Sequence, residues 1–364
     1  MSTTVTHPET KTPAVQPPKQ AAEVAMFVRR LSLFAAEFLA LCVLFGYLHE
    51  HNYYMKDGAT IVVDQKLRSL KAGDVAFDPG REPLLFAGDS RVLAGFRPDL
   101  FDELSGGRTH SFNLGLPGVT RTEVAEAVAS LAESGCRLKY VLVFDSWAPP
   151  PEQQLPTGWP YSMFREAMPQ RLFAATFGPS RQATLRYFFP FKNLLTDTSI
   201  FLIHSASNGG PVAQHRLNVK STVDVMATRG YYYIQEQALY KDKKLPAGFR
   251  HPEDTPDKVY RRSVAYDGSV YDIWQSLADR YGITVVLVPP CLRETQNAPP
   301  PPGELDFPPP PNPRTRVIPS PAYWQYTNSK WSDLVHLNPD GAEQYTRDVF
   351  EAFRRYVPDR PPAQ

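Results

Sequence analysis

Cysteine is scarce: the 364 residues hold three, Cys42, Cys136 and Cys291, too few for a disulfide-built scaffold. Cys136 precedes one predicted strand and Cys291 follows another, which in a parallel sheet puts them at opposite edges and argues against a bridge. Neither cysteine nor histidine recurs at metal-ligand spacing, so no metal centre and no cofactor site is expected. His7, His49, His51, His110, His204, His215 and His251 read as structural or solvated. Net charge is also lacking: 39 basic against 38 acidic residues leave +1, without the basic excess that a nucleic-acid binder carries. A long hydrophobic run occurs once, at Leu31–Leu48, and is about as short as a spanning helix can be.

That run sets the expected topology. Lys11, Lys19, Arg29 and Arg30 precede it, which puts the N-terminus in the cytoplasm as a single-pass protein and the rest of the chain outside. No small-x-small cleavage site follows the run, so an anchor is expected rather than a removed signal peptide. Glu37 lies inside it, where a carboxyl either faces a partner or reaches for the interface. The expected organisation is a tail over 1–25, an anchor over 26–48, a connector over 49–82 with a helix near Val63–Ala72, and one large domain over 83–364.

Proline, by contrast, is abundant at 37 residues, crowded into the first twenty positions, Pro149–Pro151 and the loop 298–313. Such stretches cannot be core helix or central strand. Between them the pattern alternates. Strands are expected at Pro83–Ala87, His110–Leu114, Leu138–Phe144 and Ile283–Val288, and helices at Leu100–Leu104, Thr120–Ser134, Val270–Tyr281 and Pro339–Tyr356. Alternation of this kind predicts an α/β fold with a parallel sheet covered on both faces. The region 151–266 breaks it. That region is rich in Tyr, Phe and Arg, including Arg186–Phe189 and Tyr231–Tyr233, and reads as an insertion that serves as a lid or partner surface.

Two short segments carry chemistry. Gly88-Asp89-Ser90 follows the first predicted strand, and Asp333-Leu334-Val335-His336 precedes the last helix. A serine hydroxyl is a poor nucleophile until an imidazole removes its proton, and a carboxylate must hold that imidazole in the right tautomer. Ser90, His336 and Asp333 supply these three groups, and strand carboxyl ends are where such sheets bind ligands.

The order Phe86-Ala87-Gly88-Asp89-Ser90, Phe112-Asn113-Leu114-Gly115-Leu116-Pro117-Gly118 and Asp333-Leu334-Val335-His336-Leu337-Asn338 resembles three sequence blocks of the SGNH (GDSL-type) hydrolase superfamily. The resemblance implies a three-layer α/β/α domain with Ser90 as nucleophile, His336 and Asp333 as base pair, and the amides of Ser90 and Gly118 in an oxyanion hole. One block departs from the pattern: where the family has Gly-x-Asn-Asp, this chain runs from Phe144 into Asp145-Ser146-Trp147, which leaves Ser146 as the candidate replacement donor. Trp147, Trp324 and Trp331, close in sequence to the site, are candidate sugar-stacking residues. An anchored domain of this kind is similar to the accessory proteins of polysaccharide O-acetylation and teichoic acid D-alanylation. That implies a membrane-bound O-acyltransferase as partner and a polysaccharide as acceptor. The alternatives are an esterase of an envelope glycan, using the same triad, and a non-catalytic assembly protein.

Overall fold

The computed structural model of the protein describes residues 19–50, 58–75, 77–117, 119, 121–144, 190–252, 268–288, 291–295, 314–318 and 324–357. The chain divides into two compact units, Met1–His51 and Asn52–Gln364. The first contains one helix, α1 (Lys19–Glu50), whose large apolar side chains, Phe27, Phe34, Phe38 and Leu39 among them, are exposed. Among the described residues no helix is long and apolar enough to cross a membrane. The expected anchor Leu31–Leu48 runs into positions 45, 46 and 48, whose side chains lie outside them.

The second unit begins with α2 (Gly58–Ala72) and continues through β1 (Glu82–Gly88), α3 (Ser90–Gly95), α4 (Pro98–Leu104), β2 (Thr109–Gly115), α5 (Arg121–Glu133) and β3 (Tyr140–Phe144). Helices α6 (Pro190–Ser207) and α7 (Pro211–Ala227) follow, then α8 (Gly268–Tyr281), β4 (Thr284–Val288), β5 (Leu292–Arg293), β6 (Thr315–Val317), β7 (Gln325–Tyr326) and α9 (Pro339–Tyr356). Five strands pair in the order β2-β1-β3-β4-β6, every neighbour parallel, and β5 pairs separately with β7. The α/β fold with a parallel sheet is therefore the observed one.

Strands buried on both faces need apolar residues at every position, which is why β1, β3 and β4 read as continuous runs rather than alternating ones. Successive side chains still point to opposite faces. Leu85, Ala87, Val141, Val143, Val285 and Leu287 join one core with Val63 and Leu67 of α2, Val128 of α5 and Trp274 of α8. Leu84, Phe86, Leu142, Phe144, Val286 and Val288 join the other with Phe96, Phe101 of α4, and Tyr345 and Phe353 of α9. Full burial of each such side chain contributes roughly 1.5–3 kcal/mol. The stretch expected as a connector thus supplies a core helix.

The strand order has a functional consequence. From β1 the chain steps to β2 on one side, then returns past β1 to β3 on the other, so connections leave the carboxyl ends of β1 and β3 in opposite directions. A crevice opens at such a reversal. Ser90 stands at the end of β1, beside it.

The region expected as an insertion contains α6 and α7 and a strap, Thr228–Phe249, that runs over the site described below. Positions 151–189 and 253–267, and the proline-rich loop 298–313, lie outside the described residues. Cys42, Cys136 and Cys291 are free thiols.

Candidate active site

The turn that carries Ser90 is built from three consecutive residues. A Cβ at Gly88 would sit 2.3 Å from Cγ2 of Val92 and 3.3 Å from the Phe144 carbonyl, so any side chain there would have to displace Val92 from this tight turn after β1. Asp89 then caps α3, its Oδ1 accepting from the Arg91 amide at 2.9 Å. The same carboxylate receives the Arg91 guanidinium, Nη2 to Oδ2 at 2.6 Å, and that guanidinium lies 4.8 Å from the ring centroid of Phe144 at the end of β3. Burial pushes the Asp89 carboxyl up, but the charge and hydrogen bonds of Arg91, with a smaller contribution from His336, hold it below the ordinary value. Ser90 is the first residue of the helix that follows.

The second half is a closed loop. Trp331 and Leu337 form an antiparallel bridge, and the Ser332 amide donates to the His336 carbonyl at 3.0 Å, pinching off Asp333–Val335. Inside it, Oδ1 of Asp333 accepts from the amides of Val335 and His336 at 2.8 and 2.7 Å, and Oδ2 lies 2.7 Å from Nδ1 of His336. Burial pushes the Asp333 carboxyl up; the imidazole and the two amides together outweigh it and keep it ionised below the usual range. Asn338 ends the loop and starts α9, its Oδ1 accepting from the Gly341 amide at 3.0 Å with Pro339 at the first helical position.

The two halves meet. Nε2 of His336 lies 2.9 Å from Oγ of Ser90. With Nδ1–H committed to the carboxylate, Nε2 presents its lone pair to the hydroxyl. His336 is 5% exposed and Asp333 7%, while Ser90 is half-buried and open to a ligand.

Residues that sequence reasoning passed over hold this geometry. Arg293 is buried in β5 and donates from Nε to the Leu334 carbonyl at 3.1 Å, inside the Asp333–His336 loop. The strap connects both halves: the Tyr232 amide donates to Leu93 O of α3 at 3.0 Å, and the amides of Leu239 and Leu245 donate to Ser332 O and Trp331 O at 2.9 and 3.0 Å. At its start, Arg229 pairs with the buried Asp102, which also accepts from Thr109 Oγ1 at 2.7 Å and the Ser111 amide at 2.9 Å. Nothing in an isolated arginine marks it as a brace; the aromatic run Tyr231–Tyr233 was the visible signal of this segment.

Other expected site residues fare differently. Gly118, Ser146 and Trp147 lie outside the described residues, although β3 ends at Phe144 immediately before the last two. Trp324 packs edge-on against Tyr345, centroids 5.5 Å apart. Trp331 is 3% exposed, its ring packed in the core beneath the loop. Among the described residues no group of three His, Cys, Asp or Glu side chains could hold a metal ion. No protein-family model matches the chain, and no curated protein is similar to it.

Proposed function

We propose that the protein is a serine acyl-transfer enzyme of SGNH-like three-layer α/β/α fold, moving an acyl group, acetyl by the family resemblance, onto a hydroxyl of an envelope or exported polysaccharide. The observation that carries the reading is the unbroken relay from Ser90 Oγ through His336 to an ionised Asp333. In this reading Nε2 takes the hydroxyl proton as Oγ attacks the acyl carbonyl, and returns it to the leaving group as acyl-Ser90 forms. An acceptor hydroxyl then gives its proton to the same nitrogen, attacks the ester carbon and departs as the new ester, while Ser90 recovers its hydrogen. Asp333 stays a carboxylate throughout.

Negative charge on the carbonyl oxygen needs donors. Ser90 N and, by the family resemblance, Gly118 N fill that role, with Ser146 as the third in place of the missing Asn. A lost donor costs on the order of 100-fold or more. The apolar run after Arg29-Arg30 supports a membrane anchor with a cytoplasmic N-terminus and the domain outside, where a membrane-bound O-acyltransferase would deliver the acyl group.

Intact-mass analysis of the full chain in detergent tests this, after exposure to p-nitrophenyl acetate and beside Ser90→Ala and His336→Ala. The expected result is one acetyl adduct on Ser90, absent from both variants, that passes to a glycan oligomer. An adduct lost only to water would make the protein an esterase, and no adduct in the wild type would overturn the acyl-transfer reading.

A further inference from the structure

Helix α2 turns Val63, Leu67 and Leu70 into the core, and Lys66 falls on the same face at helical spacing, 0% exposed. An aliphatic side chain is what such a position ordinarily takes. Its Nζ donates to the carbonyl of Gly115 at 2.8 Å, and burial pushes the ammonium's pKa well below the ordinary value. Burying an unpaired ammonium costs stability. Positions that sacrifice stability without a structural return are commonly functional ones.

Gly115 shows the return. It closes β2 in register with Gly88 of β1, which lies two residues before Ser90. The peptide plane joining Gly115 to Leu116 is held at both ends: its carbonyl by Lys66, its N–H by Gly88 O at 2.9 Å, two residues before Ser90. The plane before it is tied by the Gly115 N–H, which donates to Asn113 Oδ1 at 2.7 Å. Nδ2 of Asn113 in turn donates to Val92 O and Phe96 O, both at 2.8 Å, and so fastens α3. There is no slack: a Cβ on Gly115 would meet the Leu93 amide nitrogen at 2.1 Å. Of these restraints, Lys66 alone comes from outside the β1–α3–β2 segment.

We infer that Lys66 is a positioning residue of the Ser90 site, its ammonium fixing the Gly115–Leu116 peptide and through it the end of β2 against Gly88, two residues before Ser90. The inference rests on the acyl-transfer reading for its kinetic consequence and on the hydrogen bonds alone for its structural one. A methionine at 66 would fill the same volume and donate nothing, leaving the Gly115 carbonyl buried without that donor and the peptide held through its N–H alone.

The test is Lys66→Met in the full chain, read three ways. Expected are an unchanged or raised melting temperature, a fall of about 10-fold or more in Ser90 acylation by p-nitrophenyl acetate with KM within about twofold, and faster amide hydrogen exchange confined to residues 114–119. An unchanged acylation rate would overturn the inference. So would a slower rate accompanied by a lowered melting temperature and faster exchange across the sheet, which is what a merely structural lysine predicts. Should Lys66→Met not fold, Lys66→Gln, shorter but still a donor, is expected to show the same changes in smaller measure, and a Gln variant identical to wild type would overturn it. If the wild type is not acylated at all, the acyl-transfer reading fails; the exchange measurement then decides the grip on Gly115 by itself.

Discussion

Two buried carboxyl groups in this molecule shift in opposite directions. Asp333, in the loop between Trp331 and Asn338, is pushed up by burial and then brought below the ordinary value by an imidazole and two amides. Glu126, in α5 and 1% exposed, is pushed up to about 8 by burial and by the charge of Glu133, and neither of its oxygens has a hydrogen-bond partner among the described residues. Ser130 Oγ on α5 and Trp274 Nε1 on α8 are likewise buried without a partner among the described residues. Burial acts the same way on both acids. What differs is the supply of donors, and it separates a region organised to keep a charge from one that keeps a carboxylic acid neutral.

Removing the charge while keeping the shape breaks the first region most. Asp333→Asn leaves an oxygen for the Val335 and His336 amides but turns an amide N–H toward Nδ1, which favours the wrong tautomer. Acylation of Ser90 is expected to fall by roughly 10³–10⁴, measured by stopped-flow with p-nitrophenyl acetate, while the domain stays folded. The stability linkage has a definite sign. A carboxyl whose folded pKa is depressed contributes stability that is fully present above its unfolded value and lost as pH falls through the folded one. The wild type should therefore lose its advantage over Asp333→Asn below about pH 4. Equal rates in the two proteins would remove Asp333 from the mechanism.

Much of this was legible in the residues. The strands expected at 83–87, 110–114 and 283–288 occur as Glu82–Gly88, Thr109–Gly115 and Thr284–Val288, because apolar runs bounded by Gly and polar residues have few other uses. Helix α9 begins and ends where its Pro339 and periodicity put it. The Ser90, Asp333 and His336 side chains, singled out from two distant segments, lie within hydrogen-bond distance of one another in sequence Ser90–His336–Asp333. Other parts escaped for physical reasons. β6 is three residues long and follows a proline run, so no pattern marks it. Helix α7 inverts the usual rule: it buries Gln214, Asn218 and Thr222, with Gln214 Nε2 donating to Asn218 Oδ1 at 2.7 Å, and exposes Val212, Leu217, Val219 and Val223. Hydrophobic periodicity therefore points the wrong way there. Lys66 and Arg293 act through backbone carbonyls, which leave no trace in sequence.

In the second region the expected effects fall on stability. Glu126 has a folded pKa near 8, above the ordinary 4.5, so ionisation in the native state is opposed and stability declines as pH rises from the unfolded value through the folded one. The decline is at most about 1.4 kcal/mol per pH unit over that window. Glu126→Gln keeps the shape of the protonated acid without its titration, and should melt several degrees higher than wild type at neutral pH. Thermal melts from about pH 5 to 8 should slope downward for wild type and run flatter for the variant. Parallel curves would mean that Glu126 has a partner in solution.

The smallest change sharpens the contrast furthest. Ser130→Ala deletes a buried hydroxyl that has no hydrogen-bond partner among the described residues and places a better helix former inside α5. Both effects point the same way, each worth about 0.5–1 kcal/mol, so the variant should gain on the order of 1 kcal/mol in urea melts and leave acylation of Ser90 unchanged. Ser130 stands one helical turn after Glu126, where neighbours three and four apart share an environment, so the gains from Ser130→Ala and Glu126→Gln should not add. A double-mutant cycle reads that coupling directly. Strict additivity would separate the two groups into independent defects. A loss of stability from Ser130→Ala would show that the hydroxyl is satisfied by water, and would take Ser130 out of the comparison with the Asp333 loop.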